Sequence, residues 1–459
     1  MKKIIYVKYA VLSILLVSLL PSCTNEIDDA FDKSSSERTA DALSHIREVL
    51  IDAPMGWAVS YYPDASVYGG FNYLMRFNAD GSVEMQGDKV TEDKLSFVLS
   101  EEPSTSQYSV KASQGPVLSF DTYCLVSQLA DPTSLANYYG PGLRGDNEFV
   151  WRRTSVNKDT IVFTGVRRDL DSAKDPLASS EIVFIKNASN WNTHLDAVQT
   201  HRTAFSQGNY LNYFKEVRLT DGSSIVMAGF DNIERSVYGI DKNDGGEIIF
   251  QDRTGLSMTE KGLLFKNGLN IGGHKVKSFD YDGAVFRIAD ADVQGQLNGI
   301  SQPSFVFEGT QSAVLMPNVS YIVNRFSPQI RVPLQAAVNK LNYLGLEYYA
   351  FVLIPSGPSG HTLAILHRVG ANTVDIAAQV TFTYIKSSER SDKIRFTQGR
   401  TISVSGAYGQ VVNAEMREIA NVISDTRNGQ DYIIMPDKEQ INYTFGSCSS
   451  SNYFSANKW

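Results

Sequence analysis

Apolar and polar side chains that alternate over short runs, each run closed by a turn dipeptide, restrict this chain more than anything else in it. Phe71, Tyr73, Met75 and Phe77 alternate with Asn72, Leu74 and Arg76; Asn78-Ala79-Asp80-Gly81 follows, and Val83 and Met85 resume the pattern. Successive side chains of a strand point to opposite faces, so a period of two makes one apolar face, and Asp-Gly supplies the backbone that a tight hairpin needs. Asp221-Gly222, Asp244-Gly245, Asp282-Gly283 and Asn428-Gly429 mark further turns, and Val380, Phe382 and Tyr384 alternate with Thr381 and Thr383. The expectation is a mostly β (α+β) protein of antiparallel meanders.

Helical periodicity is confined to four places. Ala42, Leu43, Ile46, Val49 and Leu50 form one apolar face, with Ser34 and Glu37 placed as a capping box and Pro54 as the stop. A second stripe joins Trp191, Leu195, Val198 and Phe205 between Ser189 and Phe205; a third, read from Pro333 to Gly345, uses Leu334, Val338 and Leu341; a weaker fourth uses Val412, Met416, Ile419 and Ile423. The first three each precede a run of strands, so the pattern predicts two or three repeated helix-plus-sheet units without repeated residues. The boundaries so drawn are 1–22 as a leader, 23–36 as a tether, and units over 37–188, 189–327 and 328–459.

The leader places Lys2, Lys3 and Lys8 before an apolar run from Tyr9 to Leu20 and then Leu20-Pro21-Ser22-Cys23. About a dozen apolar residues suit a secretory signal and fall short of the roughly 20 that span a bilayer. The ending resembles the lipobox of bacterial lipoproteins, which implies acylation of Cys23 and a membrane anchor; an ordinary signal peptide with a cysteine at its cut is the alternative. Glu26, Asp28 and Asp29, with Ser34 to Ser36, make a polar tether. It resembles the acidic surface-export signal of Bacteroidota lipoproteins, implying an outer-membrane protein facing the exterior, although an acidic tether is also simply soluble.

At 459 residues with 42% hydrophobic and 20% charged side chains, the chain can bury two or three cores. Its formal charge is −8, and loss of three lysines with the leader takes the body to −11, which argues against a nucleic-acid partner. Cys124 and Cys448 remain after Cys23, and the sequence leaves open whether they pair or stay as thiols.

From Glu37 onward, Ala53-Pro54-Met55-Gly56-Trp57, Tyr61-Tyr62-Pro63, Gly69-Gly70-Phe71, Asn78-Ala79-Asp80-Gly81, Gly115-Pro116-Val117-Leu118-Ser119-Phe120 and Gly145-Asp146-Asn147-Glu148-Phe149 follow in order. This succession resembles the Bacteroidota lipoproteins of domain-of-unknown-function family 4302, most clearly over residues 37 to 186. The resemblance implies nutrient capture at the outer surface beside SusC-type transporters and SusD-type binding lipoproteins. It implies no reaction and carries no site residues.

Chemistry-bearing motifs are sparse. Gly140-Pro141-Gly142-Leu143-Arg144-Gly145 has the spacing of a dinucleotide fingerprint, but a strand rather than a helix is expected after it, so it reads as a glycine-rich turn. His194 and His201 lie two turns apart on the second helix, roughly 10 Å by helical rise, too far for one metal ion to join easily, and read as core or boundary residues. Pro355-Ser356-Gly357-Pro358-Ser359-Gly360-His361 lacks the spacing of a nucleophile elbow, and Asp169, Asp171 and Asp175 lack that of an EF-hand. No catalytic residue, metal or cofactor is therefore expected.

One loop, from Asp131 through Trp151, gathers Tyr138, Tyr139, Arg144, Asp146, Asn147 and Trp151. Rings that stack on a sugar face beside amides and charges that take hydroxyls suit a glycan or a similar small ligand; strand-end aromatics belonging to the core are the alternative. The expected function is non-catalytic ligand capture, of a glycan, peptide or other polymer product, by a lipid-anchored surface protein that assists an outer-membrane transporter. A structural or adhesive surface protein is the second expectation, and a hydrolase with carboxylates on distant segments the third.

Overall fold

Ser34 starts the first helix as the pattern requires. Its hydroxyl accepts the Glu37 N–H, the Glu37 carboxylate accepts the Ser34 N–H at 2.9 Å, and α1 (Ser35–Ile51) buries Ile46, Val49 and Leu50. Trp57 closes the far end by donating its indole N–H to the Leu50 carbonyl at 2.8 Å. The computed structural model describes residues 33–458 except 65–67, 95, 114, 136–141, 167–179, 231–232, 244, 309, 311–314, 317–325, 356–359, 372, 399–401, 426–428 and 437–441. Cys23 and its leader, Tyr138, Tyr139, Asp169, Asp171, Asp175, Ser356 and Ser359 lie outside these residues.

Nine antiparallel strands follow α1: β1 (Trp57–Tyr62), β2 (Phe71–Phe77), β3 (Ser82–Val90), β4 (Phe97–Leu99), β5 (Ser104–Ser113), β6 (Gly115–Phe120), β7 (Glu148–Thr154), β8 (Thr160–Gly165) and β9 (Glu181–Lys186), with a one-turn α2 (Ser127–Ala130) after β6. They are ordered β2-β1-β9-β8-β7-β6-β5-β3-β4, and β2 also pairs with β3. The meander thus closes into an eight-stranded barrel with β4 outside the ring as a flap on the end of β3. A ring of this size is just filled by side chains, and here Phe71, Tyr73, Phe149, Phe163 and Phe184 fill it.

The second unit repeats this order. After α3 (Trp191–Ser206) come β10 (Phe214–Leu219), β11 (Ser224–Ala228), β12 (Ser236–Lys242), β13 (Ile248–Phe250), β14 (Thr254–Met258), β15 (Gly262–Ile271), β16 (His274–Tyr281), β17 (Phe286–Ile288) and β18 (Gly295–Ile300). Their order, β11-β10-β18-β17-β16-β15-β14-β12-β13 with β11 pairing β12, is the first barrel's strand for strand, flap included. The third unit differs. β19 (Leu315–Met316), β20 (Glu347–Pro355), β21 (Gly360–Gly370), β22 (Thr373–Lys386), β23 (Lys393–Thr397), β24 (Val404–Ser405), β25 (Gln430–Pro436), β26 (Asn442–Ser447) and β27 (Tyr453–Lys458) form one antiparallel sheet, packed with α4 (Pro328–Tyr343) and α5 (Asn413–Ser424).

Helix α4 corrects one reading. It begins at Pro328, not Pro333, and carries Pro333 inside it. Pro328 holds the first helical position, where no N–H is missed, and the apolar stripe runs upstream through Ile330, so burial outweighs the hydrogen bond that Pro333 cannot make. Cys124 is buried in the first barrel and Cys448 is half-buried in the third unit; both are free thiols.

The two barrels meet over a buried charge cluster. Asp88, on β3 and fully buried, takes Arg202 of α3 at 2.9 Å and Arg235, just ahead of β12, at 2.5 Å, and accepts the Asn72 N–H. The Arg235 guanidinium also lies over the Phe71 ring at 4.7 Å. Around it Asn72 donates to Ser257 at 2.8 Å, Gly69 N–H donates to the Glu234 carbonyl, and Gly70, at φ +66, touches Leu256 so closely that a Cβ would stand 1.7 Å from its carbonyl oxygen.

Asp88→Ala leaves two buried cations and is expected to cost about 3–5 kcal/mol in denaturant unfolding. The triple change Asp88→Ile, Arg202→Met, Arg235→Met is expected to recover most of that, because well-packed apolar groups replace a buried ion pair at little cost. Burial pushes the Asp88 carboxyl up, but the two guanidinium groups outweigh it and hold its pKa below the usual value. Its stabilisation is therefore present above the unfolded-state value and lost as pH falls through the lower folded one, so the gap between wild type and Asp88→Ala should narrow below about pH 4.

Candidate functional site

The residues singled out in the Asp131 to Trp151 loop do not converge. Arg144 adopts φ 60 and extends to Asp64, an ion pair of 2.6 Å with the acid buried. Asp146 is buried, and its N–H donates to the Tyr61 hydroxyl at 2.7 Å. Trp151, on β7, packs half-buried against the first barrel's core and donates to Thr154 at 3.0 Å. Asn147 is exposed and borders a shallow hollow of about 250 Å³ with Asp121, Tyr123 and Asp131. Tyr123 is 64% exposed and donates to Asp131 at 3.0 Å. Partial burial, reinforced by this acceptor, pushes its phenol up to about 12. Arg144 and Asp146 thus brace the loop, and of the four described candidates Asn147 alone borders this hollow.

His194 and His201 are held by neighbouring groups of the fold. His194 lies 3.1 Å from the Asn187 side-chain oxygen and 3.4 Å from Glu260; His201 lies 2.8 Å from the Thr259 carbonyl and edge-on to Tyr281. Among the described residues four buried acids are each engaged by arginine: Asp88 as above, Asp64 by Arg144, Glu216 by Arg218 at 2.8 Å, and Asp392 by Arg390 at 2.9 Å. At Asp88 the two guanidinium groups disfavour the protonated form that a general acid needs.

A larger cavity, about 450 Å³, opens where all three units meet. The flap strand β4 brings Phe97, Val98 and Leu99 from the first barrel; α3 brings Arg202 and Phe205; the second barrel adds Tyr213, Lys215, Phe230 and Met258; Pro328 and Tyr453 come from the third unit. Its volume lies within the range of small-molecule sites, and its walls set aromatic and aliphatic side chains beside polar ones, Gln199, Thr203, Gln207 and Gln329 among them. No single unit contains it.

Lys215 is the unusual member of this wall. Alternation along β10 puts it on the same face as Val217 and Leu219, both in the second barrel's interior cluster. It is 5% exposed, donates to the Asn212 carbonyl at 3.0 Å, and lies over the Phe205 ring at 4.7 Å. Among the described residues no carboxylate pairs with it. Burial therefore acts unopposed and lowers its pKa to about 7. Arg202, its cationic neighbour in the wall, is paired with Asp88, which it shares with Arg235. Sequence reading passed over Lys215; the available signal was a lysine at the inward parity of a strand, two residues before Val217 and four before Leu219.

A family model described as a domain of unknown function, DUF4302, matches residues 27–283. That span holds the first barrel, the second through β16, and Lys215. No curated protein matches the chain.

Lys215→Met is expected to raise thermal stability, because methionine fills the stem's space without a buried charge. The sign follows from proton binding. Between about pH 7 and the ordinary lysine value the unfolded chain binds a proton that the folded one does not, so wild-type stability climbs across that window. The advantage of Lys215→Met should thus be greatest at and below pH 7 and fade toward pH 10, read as melting temperature against pH.

Proposed function

The chain belongs to the DUF4302 family, whose model spans more than half of it, and from that premise we propose that it is a non-catalytic, lipid-anchored surface protein that captures a small ligand and assists uptake. The observation that carries this reading is the cavity of about 450 Å³ that exists only where the three units come together. A site assembled this way can open or close with small shifts of one unit on another, and inter-unit clefts are common places for ligand binding. Among the described residues the interiors of the two barrels are filled with core side chains.

Leu20-Pro21-Ser22-Cys23 supports the location: acylation at Cys23 would tether the body by a polar linker to the outer membrane, beside a SusC/SusD-type transporter that takes glycan or other polymer products. A cavity of this volume suits a fragment of such a polymer rather than a long chain. The duplicated barrels favour a second reading, a structural or adhesive surface protein, since stacked repeats are also how extended surfaces are built.

Cys23→Ser separates anchoring from folding. The variant is expected to leave the envelope fraction and lose the mass of the acyl chains; a variant that still sediments with envelopes at unchanged mass would rule the anchor out. With the anchor intact, pull-down is expected to recover an outer-membrane transporter. A monomer that recovers none and binds no glycan, peptide or small ligand leaves the structural reading.

A further inference from the structure

The duplication shows what the fold uses at the position of Lys215 when no cation is wanted. In the first barrel Val59 pairs with Tyr73 and Tyr73 with Gly87; in the second Lys215 pairs with Met227 and Met227 with Gly239. The two glycines correspond, since the residues after them, Asp88 and Ile240, pair with Leu99 and Phe250, the last residues of the two flaps. Lys215 thus stands where the first barrel has Val59, which lies in that barrel's core. A valine would satisfy the barrel. The lysine instead carries a cation that burial disfavours and that no described acid offsets; within the chain it gains the Asn212 carbonyl and the face of the Phe205 ring.

That cation borders the junction cavity. The rest of the wall sets rings and aliphatic groups, Phe97, Phe205, Phe230 and Met258 among them, beside uncharged polar side chains such as Gln199, Thr203 and Gln329, and Arg202, which is turned to Asp88 and shares it with Arg235. The complement of such a wall is a molecule with an apolar body and one anionic end. We propose that the junction cavity binds a small organic carboxylate with an aromatic or branched apolar body, its carboxylate set against the Lys215 ammonium. This rests on the capture reading above and names its ligand class.

Charge restoration follows. A carboxylate beside Lys215 favours the ammonium, so binding near neutral pH draws a proton from solvent. The other ionisable groups facing the cavity are Arg202 from α3, Tyr213 ahead of β10 and Tyr453 from β27. Arginine stays protonated, and burial moves the Tyr213 phenol further above its ordinary value.

The test is calorimetric titration of the full chain with 3-phenylpropionate and with its uncharged amide, in two buffers of different ionisation enthalpy. The carboxylate is expected to bind one to one with uptake of a fraction of a proton at pH 7, and to weaken at least tenfold by pH 9. Lys215→Met is expected to lose at least tenfold for the carboxylate and to keep its affinity for the amide. Lys215→Arg is expected to retain carboxylate binding with a flattened pH profile. Equal binding of carboxylate and amide, without proton uptake, would overturn the ligand class and leave capture by the cavity standing. If neither probe binds, the proposal is overturned, and capture is then judged by the transporter pull-down.

Discussion

Asp88, fully buried between Arg202 and a buried Arg235, is the constraint on which the arrangement of the units depends. A carboxylate buried with two guanidinium groups is tolerated only where geometry satisfies every partner, and here the partners come from different units. Asp88 belongs to the first barrel, Arg202 to the helix that opens the second, and Arg235 to the loop leading into its third strand. The cluster therefore fixes register between units as much as it holds them. Gly69 and Gly70 against Gly255 and Leu256 give the same junction its close backbone approach.

The second junction is built differently on the same plan. Ile240 occupies the place of Asp88 and is fully buried in a cluster with Phe214, Phe307, Ile433 and Met435. There the second flap, through Ile248 and Phe250, leans on the third unit much as Leu99 of the first flap leans on the second barrel. One junction is specified by charge and the other by shape. Apolar contacts alone adapt to small slips in packing, whereas a buried ion cluster does not. Arg390 and Asp392 add a clamp of their own, holding the Pro303 and Phe305 carbonyls and the Phe307 N–H at the entrance to the third unit.

The cavity is a by-product of this stacking. Among the described residues the eight-stranded rings are packed with side chains, and this cavity arises where flap, helix and neighbouring unit fail to fill a corner. Lys215 sits at that corner on an inward-facing position of its own barrel, which is why burial weakens its hold on a proton and why its chemistry would depend on what enters.

Local patterns in the chain were enough for the elements and their class. The Ser34–Glu37 capping box, the Asn78 to Gly81 turn, and the stripes of Trp191 to Phe205 and Met416 to Ile423 recur in the structure because they arise from contacts within a few residues of each other. Arg144 and Asp146 illustrate the limit: their types suggested ligand contacts, and their partners, Asp64 and Tyr61, lie some eighty residues away. By itself the sequence determined strands, turns, helices and an antiparallel mostly β fold, since each needs only a period and a turn. Tertiary structure alone decided that the meanders close into matched barrels, that Asp88 meets two arginines from the next unit, and that Lys215 faces a cavity lined, among the described residues, by no acid. These depend on pairings across long stretches of chain, whose strength is set by burial and geometry rather than by neighbouring residues.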